Sequence, residues 1–278
     1  YLLICALIAN AASFVFPISN PANLVVYGRT IPPLLEWLPQ YLPPSVAAIV
    51  VTFVVLLWTQ RAALKEPIGP DVPIPHLPRG GRIAAIGIVA TTIVLLAASY
   101  LDWPLGLPTA IAGAVTAMAV VIREQKTPWK TLTHISWSVL PLVGGLFVIV
   151  EALDRAGLIG MLRDQLHQLA AASAASAAWA SGIAVAIGSN LINNLPVGLI
   201  AGSTVQSDGL PPEVTRAVLV GVDVGPNLSV TGSLATILWL IALRRDGYHV
   251  GALDFLKIGA LVMPPALLAA IGTTLLFQ

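Results

Sequence analysis

Residues 221–233 read Gly-Val-Asp-Val-Gly-Pro-Asn-Leu-Ser-Val-Thr-Gly-Ser, and they lie inside a long apolar stretch from Ala217 to Leu243. A carboxylate in such a stretch is costly to bury, so Asp223 is a candidate functional group. Gly225, Pro226 and Gly232 weaken a helix here, and the freed backbone groups must then face protein or a polar cavity. A broken helix beside a buried acid is typical of the binding site of a secondary transporter.

The composition places the chain in a membrane. Of its 278 residues, 57% are hydrophobic and 10% are charged, and the mean hydropathy is +0.87; soluble domains carry roughly 25% charged residues. Apolar runs of helix length, at roughly 20 residues per crossing, predict an all-α integral membrane protein, a polytopic helical bundle. The net charge of +1 gives no electrostatic case for nucleic acid.

The apolar runs also predict the order of the membrane segments. A first segment, from Tyr1 to Tyr27, is interrupted by a polar, proline-containing run at residues 17–23. The stretch from Thr30 to Pro44 is rich in proline and carries Trp37 and Tyr41, so we expect it at the membrane interface. Crossings are predicted at residues 45–60, 83–101, 105–122, 135–153 and 254–277, with a broken segment at 214–243.

A polar tip follows an Ala/Ser-rich segment at residues 188–196, which read Gly-Ser-Asn-Leu-Ile-Asn-Asn-Leu-Pro. The apolar halves on either side of this tip are each short for a full crossing. They predict a re-entrant helical hairpin.

Basic residues predict the orientation, because cytoplasmic loops carry an excess of Lys and Arg. Such residues cluster at 61–82, at 123–130 and at 244–245, which places these loops in the cytoplasm. The Tyr1 segment then runs outward and the Val214 segment inward. Four lone basic residues fall outside against the rule: Arg29, Arg155, Arg163 and Arg216.

The two oppositely directed broken segments can be overlaid. When Asn10 is aligned with Asp223, residues 19–24 fall on residues 232–237. Together with the opposite directions, this predicts inverted repeats whose broken helices meet near the bilayer midplane. We expect four regions: 1–61 as the end of the first repeat, 62–82 as a cytoplasmic loop, 83–134 as two crossings with a further loop, and 135–278 as the second repeat.

Three stretches, at residues 9–25, 189–196 and 221–236, resemble the ArsB-type arsenite/antimonite efflux proteins of the ion transporter superfamily. The resemblance implies export of trivalent arsenic or antimony hydroxide across the bacterial plasma (inner) membrane, driven by proton entry. In some systems it also implies a soluble arsenite-stimulated ATPase on the cytoplasmic face. The chain corresponds to the last two thirds of such a protein, so we expect it to begin inside a larger transporter and to be inactive alone.

Trivalent arsenic at neutral pH is an uncharged trihydroxide, so its site needs hydroxyl and amide partners and no fixed counter-charge. Amides suit this ligand because they both donate and accept hydrogen bonds. The predicted substrate-binding residues are Asn10, Ser19, Asn20, Asn23, Ser189, Asn190, Asn193, Asn194, Asn227, Ser229, Thr231, Ser233 and Thr236.

Asp223 is the predicted proton carrier, because a buried carboxyl group can alternate between its protonated and ionised forms. The alternative is a structural carboxylate that holds unwound backbone. Glu151 is a second candidate for proton coupling, and its alternative role is an ion pair with Arg155 at i+4.

The cysteine and the histidines give little indication of a chemical role. Cys5 is the only cysteine, which excludes an internal disulfide, and we expect it to serve in packing. His76, His134, His167 and His249 fall in predicted loops or helix ends and match no metal site, so no cofactor is expected.

Two kinds of membrane protease lack the residues they need in this sequence: an aspartyl protease would need a second buried acid, and a metalloprotease would need a His-Glu-x-x-His helix. A sodium/proton antiporter or a dicarboxylate carrier remains an alternative, as does a passive channel.

Overall fold

The structure, a computed structural model, describes residues 2–28, 31–65, 78–124, 137, 139–206 and 209–277. Over these residues the chain forms helices and no strand. The helices are α1 (Leu2–Ala11), α2 (Pro21–Tyr27), α3 (Leu34–Thr59), α4 (Arg79–Tyr100), α5 (Gly106–Glu124), α6 (Val139–Arg155), α7 (Leu158–Ala172), α8 (Ala174–Ile192), α9 (Asn194–Val205), α10 (Pro212–Val224), α11 (Leu234–Arg245) and α12 (Ala252–Leu276). Short 3₁₀ turns lie at Ala63–Lys65 and Gly225–Asn227.

Five of the described helices, α3, α4, α5, α8 and α12, are long and apolar enough to cross a membrane. The predicted all-α, polytopic membrane fold is therefore confirmed. The chain divides into two compact units. One holds α1, α2, most of α3 and the chain from Leu146 onward, and the other holds α4 and α5 with the first turns of α6.

Two of the apolar segments are broken, as predicted, and we name residues 12–20 the first break and residues 225–233 the second break. The first break separates α1 from α2, and the second separates α10 from α11. The helix ends on either side are related by one offset, since 224 − 11 and 234 − 21 both equal 213. The overlay of Asn10 on Asp223 has the same offset, so the helix boundaries follow the register that the sequence predicted.

The residues that cap α2 and α11, the helices after the two breaks, are related by the same offset. The Asn20 side chain accepts a hydrogen bond from the amide of Ala22, at the start of α2. The Ser233 side chain accepts the corresponding bond from Ala235, at the start of α11. Such side-chain oxygens satisfy amides that a helix start leaves open, so each break ends at a polar capping residue.

The hairpin is formed by α8 and α9, with its tip at Asn193, which has a positive φ of 80°. Its first half is longer than the sequence suggested. Ser173 caps α8, which then runs for 19 residues and has the length of a crossing. The expectation that both halves are too short was therefore wrong for the first half.

The expected interfacial stretch at residues 30–44 was also wrong from residue 34 onward. Helix α3 begins at Leu34 and continues through three prolines. Its buried residues recur every three or four positions, and this helical period overrides the proline signal. They are Trp37, Tyr41, Pro44, Ser45, Ala48, Thr52 and Leu56.

Helix α10 lies at the centre of its unit, and nearly all of its residues from Val214 to Val224 are buried. It packs against α8 at a point where both helices carry glycine. A Cβ atom on Gly221 would collide with the backbone of Gly182. This close approach brings the hairpin next to the second break.

In the other unit, α4 and α5 pack against each other, with Gly87 of α4 facing Thr116 of α5. Many of their apolar side chains remain exposed, among them Ile86, Val89 and Val115. Exposed apolar surface on helices of this length is what a lipid environment requires.

Candidate functional site

Asp223 is the penultimate residue of α10, directly before the second break, and only 1% of it is exposed. The side-chain amide of Asn20 donates a hydrogen bond of 2.6 Å to Oδ1 of Asp223. Among the described residues no hydrogen bond reaches Oδ2, although the Ser13 hydroxyl lies close enough to interact with the carboxyl group. The acid therefore contacts the capping residue of the first break and keeps one oxygen available.

A second set of contacts between the two broken helices is made by neutral side chains. The amide Nδ2 of Asn10 lies 3.1 Å from Oδ1 of Asn227 and 3.4 Å from the hydroxyl of Thr236. Asn227 in turn donates to the carbonyl of Leu7 at 3.0 Å. Asn10, Asn227 and Thr236 are all buried. The predicted convergence of the two broken helices is thus observed, and besides the bond from Asn20 to the Asp223 carboxyl group they are joined by amide and hydroxyl bonds.

Asn23 supplies a second open acceptor. Its Nδ2 holds the first break by donating to the carbonyls of Ser13 and Phe16, each at 3.1 Å. Its Oδ1 is buried without a partner among the described residues. Asn20 caps α2 and Asn23 lies in its first turn, so two buried acceptor oxygens, Oδ1 of Asn23 and Oδ2 of Asp223, have no partner among the described residues beside this end of α2.

The hairpin tip fastens the second break. Asn190 donates to the carbonyls of Ala186 at 2.7 Å and Gly225 at 2.8 Å. It accepts from the amide and the hydroxyl of Ser229, at 3.0 and 2.8 Å. Asn193 donates to the carbonyl of Thr231 at 2.9 Å. The hydrogen-bonding capacity of Asn190 is therefore largely used within the protein.

The other predicted polar residues lie as follows. The backbone amide of Asn194 bonds to the carbonyl of Gly232, and the Thr231 hydroxyl donates to the carbonyl of Asn190. Ser19 accepts from the amide of Phe16 within the first break. Ser189 is buried and bonds to the carbonyl of Val185 on its own helix.

Glu151 has an exposed side chain and accepts a 2.8 Å bond from Arg155. The alternative of an i+4 ion pair is confirmed. A role of Glu151 in proton coupling stays a prediction.

The sequence analysis missed an aromatic cluster that supports the first break. Trp37 and Tyr41 stack with ring centroids 4.2 Å apart, and Phe14 and Tyr27 complete the cluster. The indole of Trp37 donates to the carbonyl of Phe14 at 3.1 Å, within the first break. The i, i+4 spacing of Trp37 and Tyr41 was the signal that they share a buried helix face.

Two of the basic residues that opposed the predicted orientation do not lie in loops. Arg216 belongs to α10 and is only 7% exposed. Arg163 belongs to α7 and donates to the carbonyl of Ser203 on α9. The sequence analysis placed both outside as lone charges and did not predict that contacts within the protein would hold them.

Cysteine and histidine show no metal-binding arrangement. Cys5 is exposed, so its expected packing role was wrong. His167 lies within α7 and His249 in the loop before α12, whereas His76 and His134 fall outside the described residues. In the part of the chain that the structure describes, no three His, Cys, Asp or Glu residues gather into a possible metal site.

A helical membrane bundle whose two broken helices meet at a buried acid has the architecture of a secondary transporter. Comparison with known proteins agrees with this class. The chain belongs to the citrate transporter family CitMHS, whose family model matches residues 1–221. It is therefore an ion transporter, a multi-pass protein of a bacterial inner membrane that handles a small solute.

Comparison with individual proteins also indicates a membrane transporter. The chain is 27% identical to an arsenical pump membrane protein of Escherichia coli, over 100% of this chain and 67% of the relative. It is 25% identical to the arsenical pump membrane protein of Yersinia enterocolitica, over 98% and 66%, and 24% identical to an uncharacterized transporter of Mycobacterium tuberculosis, over 92% and 61%. The chain thus spans about two thirds of the length of the arsenical pump relatives. No solved structure matches it.

Proposed function

We propose that the protein exports trivalent arsenic or antimony, as the neutral trihydroxide, in exchange for protons that are carried by Asp223. The observation that carries this proposal is the setting of Asp223: a buried carboxyl group at a helix break, bonded to Asn20 through one oxygen and without a partner at the other. The similarity to arsenical pump membrane proteins supports the choice of solute.

The proton role follows from the cost of burying charge. No ion pair to Asp223 is found among the described residues, and an isolated buried carboxylate is expensive unless it is neutralised. Proton uptake at Asp223 therefore changes the free energy of the site strongly. A group with this property can couple proton movement to the exposure of a binding site.

The choice of a neutral solute follows from the groups where the two broken helices meet. Asn10, Asn23, Asn227 and Thr236 are uncharged and buried. The free oxygens of Asn23 and Asp223 can accept hydrogen bonds, and a trihydroxide offers three O–H donors. Such a ligand needs no counter-charge, and the bonds between the two breaks supply none.

A carboxylate solute is the second candidate. The family model is that of a citrate transporter, and Arg216 is a buried cation on the same helix as Asp223. An anionic substrate in a membrane requires such a charge. However, Arg216 lies seven residues from Asp223, about 10 Å along the helix axis, so we favour the neutral solute.

Everted inner-membrane vesicles that contain the complete transporter distinguish these functions. Under the proposal, an acidic lumen drives accumulation of arsenite in the vesicles, and dissipation of the pH gradient stops it. A citrate carrier instead accumulates citrate and ignores arsenite. A sodium gradient that moves protons without arsenite indicates the sodium/proton antiporter. Vesicles without the transporter are the control.

A further inference from the structure

The side-chain amide of Asn20 has one fixed orientation where it meets Asp223. Its Oδ1 accepts a hydrogen bond of 3.0 Å from the backbone amide of Ala22, the first amide that α2 offers because Pro21 has none. Its Nδ2 donates to Oδ1 of Asp223 at 2.6 Å. Turning the amide over would set its NH₂ group against the N–H of Ala22 and its oxygen against the carboxyl oxygen. Asn20 therefore meets Asp223 as a donor only.

This bond makes the two oxygens of Asp223 unequal. A donated bond favours the charged or carbonyl form of the oxygen that receives it, and Oδ1 receives the bond from Asn20. A proton therefore binds preferentially at Oδ2, which is buried and which no hydrogen bond reaches among the described residues. The nearby Ser13 hydroxyl donates its one proton to the carbonyl of Asn10 at 2.8 Å, so its oxygen stays available as an acceptor.

The corresponding cap in the other broken helix shows that capping alone does not require an amide. Ser233, at an offset of 213 from Asn20, caps α11 by accepting from the amide of Ala235. Ser173 caps α8 in the same way. A serine side chain ends one bond before the amide nitrogen of asparagine, so a serine at position 20 would cap α2 and stop short of Asp223. The amide of Asn20 therefore serves the carboxyl group in addition to the helix.

We propose that Asn20 makes proton and solute compete for a single oxygen, Oδ2 of Asp223. An O–H group of the neutral solute donates to Oδ2 while the carboxyl group is ionised. A proton that binds at Oδ2 removes this acceptor and expels the solute, and release of the proton restores it. A proton on Oδ1 would instead leave Oδ2 open, and proton and solute could bind together. Asn20 is thus a positioning residue that enforces exchange, and this inference rests on the proposed function.

No ionisable side chain around Asp223 duplicates the bond from Asn20. Helices α8 and α9 and the second break contain no ionisable residue. The buried ionisable groups on α10 and on its neighbours α2 and α3 are Arg216, Tyr27 and Tyr41, and those on α1 and α12 are exposed, at Cys5, Asp254 and Lys257. Among the described residues none of these bonds to the carboxyl group, whereas Asn20 does. The competition between proton and solute is therefore a property of Asp223.

Asn20→Ser tests the inference, because it keeps a capping side chain and removes the donor to Oδ1. A water molecule that enters the space can accept as well as donate, so it does not restrict the proton to Oδ2. The variant is made in the complete transporter, with Asn20→Thr as a second capping variant. Ser173→Asn is the matched control, because it exchanges the same two residue types at the start of α8.

The measurement is the KM for arsenite, in exchange of labelled against unlabelled arsenite across everted vesicles with equal pH on both sides. In the parent protein and in Ser173→Asn, KM should rise about tenfold for each pH unit on the acid side, because one proton excludes one solute. In Asn20→Ser and Asn20→Thr the rise should fall below about threefold per unit. Fewer protons should also move in exchange for each arsenite that these two variants transport.

A variant with a lower maximal rate but the same steep rise in KM would show that Asn20 only caps α2, and the inference would fail. A variant identical to the parent would have the same meaning. If the parent shows pH-driven arsenite flux with a KM that does not depend on pH, the proposed function stands and the inference is wrong. Absence of pH-driven arsenite flux in the parent overturns the proposed function, and the inference with it.

Discussion

The helix ends and capping residues at the first and second breaks correspond in position, but the side chains beside them differ in chemistry. Asn10 of the first broken helix stands where the second has Asp223, since both are the penultimate residue of the first half. Asn10 forms neutral bonds to Asn227 and Thr236, whereas Asp223 keeps one oxygen open. The comparison teaches that both broken helices supply neutral groups, whereas the titrating group comes from the second alone.

The two breaks are also supported in different ways. An aromatic cluster from α3 holds the first, through the bond from Trp37 to the carbonyl of Phe14. The hairpin tip holds the second, through three bonds of the Asn190 side chain to Gly225 and Ser229 and the close approach of α8 and α10 at Gly221. Only the second break is fastened to the hairpin by these bonds.

The largest effect is expected from Asp223→Asn, because it removes the titrating group and keeps the shape of the side chain. We expect pH-driven arsenite flux to fall by about 100-fold or more, with normal insertion in the membrane. Flux in everted vesicles measures this. Asp254→Asn, at an exposed carboxylate on α12, is the control and should leave the flux unchanged.

A double variant, Asn10→Asp with Asp223→Asn, moves the acid to the first break. We expect no recovery of flux, because Asn10 lies against Asn227 and Thr236 and lacks the bond from Asn20. Recovery of pH-driven flux would show that the two breaks are interchangeable and would contradict the comparison.

Asn190→Ala should have the next largest effect, since it removes three side-chain bonds to Gly225 and Ser229 of the second break and a fourth to Ala186 on its own helix. Each such bond contributes about 1 kcal/mol net, so the free energy of unfolding should fall by about 2–4 kcal/mol. Thermal unfolding in detergent measures the change. Ser229→Ala removes only the hydroxyl bonds, and it should cost less than half as much. Equal stability of the two variants would mean that the tip does not hold the second break.

Gly221→Ala tests the close approach of α8 and α10. The added methyl group meets the backbone of Gly182, and the helices must separate. We expect the free energy of unfolding to fall by about 1–3 kcal/mol. Gly160→Ala on α7 is the matched control, because its Cβ meets no atom within 4 Å. A melting temperature of Gly221→Ala equal to that of the control would rule out a tight contact.

Trp37→Phe should have the smallest effect, because it removes one bond to the first break and part of a ring. The expected loss of stability is about 1–2 kcal/mol. Trp58→Phe, on the same helix but exposed, should change stability by less than about 0.5 kcal/mol. If both variants unfold alike, the aromatic cluster does not support the first break.

Much of the architecture could be predicted from the sequence, because the features that break a membrane helix are local. Gly225, Pro226 and the acid at Asp223 marked the second break, and the polar run after Phe16 marked the first. The amides at 190–194 marked the hairpin tip. Each signal depends on a short stretch of chain and on the cost of unpaired backbone in lipid.

Partners across long separations could not be predicted in this way. The sequence offered Asn190 as a ligand for solute, but three of its side-chain bonds depend on where the second break folds back. The prolines in α3 were taken as the sign of an interfacial stretch, although the spacing of Trp37 and Tyr41 already indicated a buried helix face. The burial of Arg216 likewise depends on α12, which is distant in sequence.

The unequal pair Asn10 and Asp223 also has an energetic consequence for the cell. If one acid carries one proton inward for each neutral solute that leaves, every cycle moves a net positive charge across the bilayer. The membrane voltage then adds to the pH gradient as a driving force, by about 2.3 kcal/mol for each 100 mV. That voltage alone sustains a solute gradient of roughly 50-fold, so efflux continues when the medium is no more acidic than the cytoplasm.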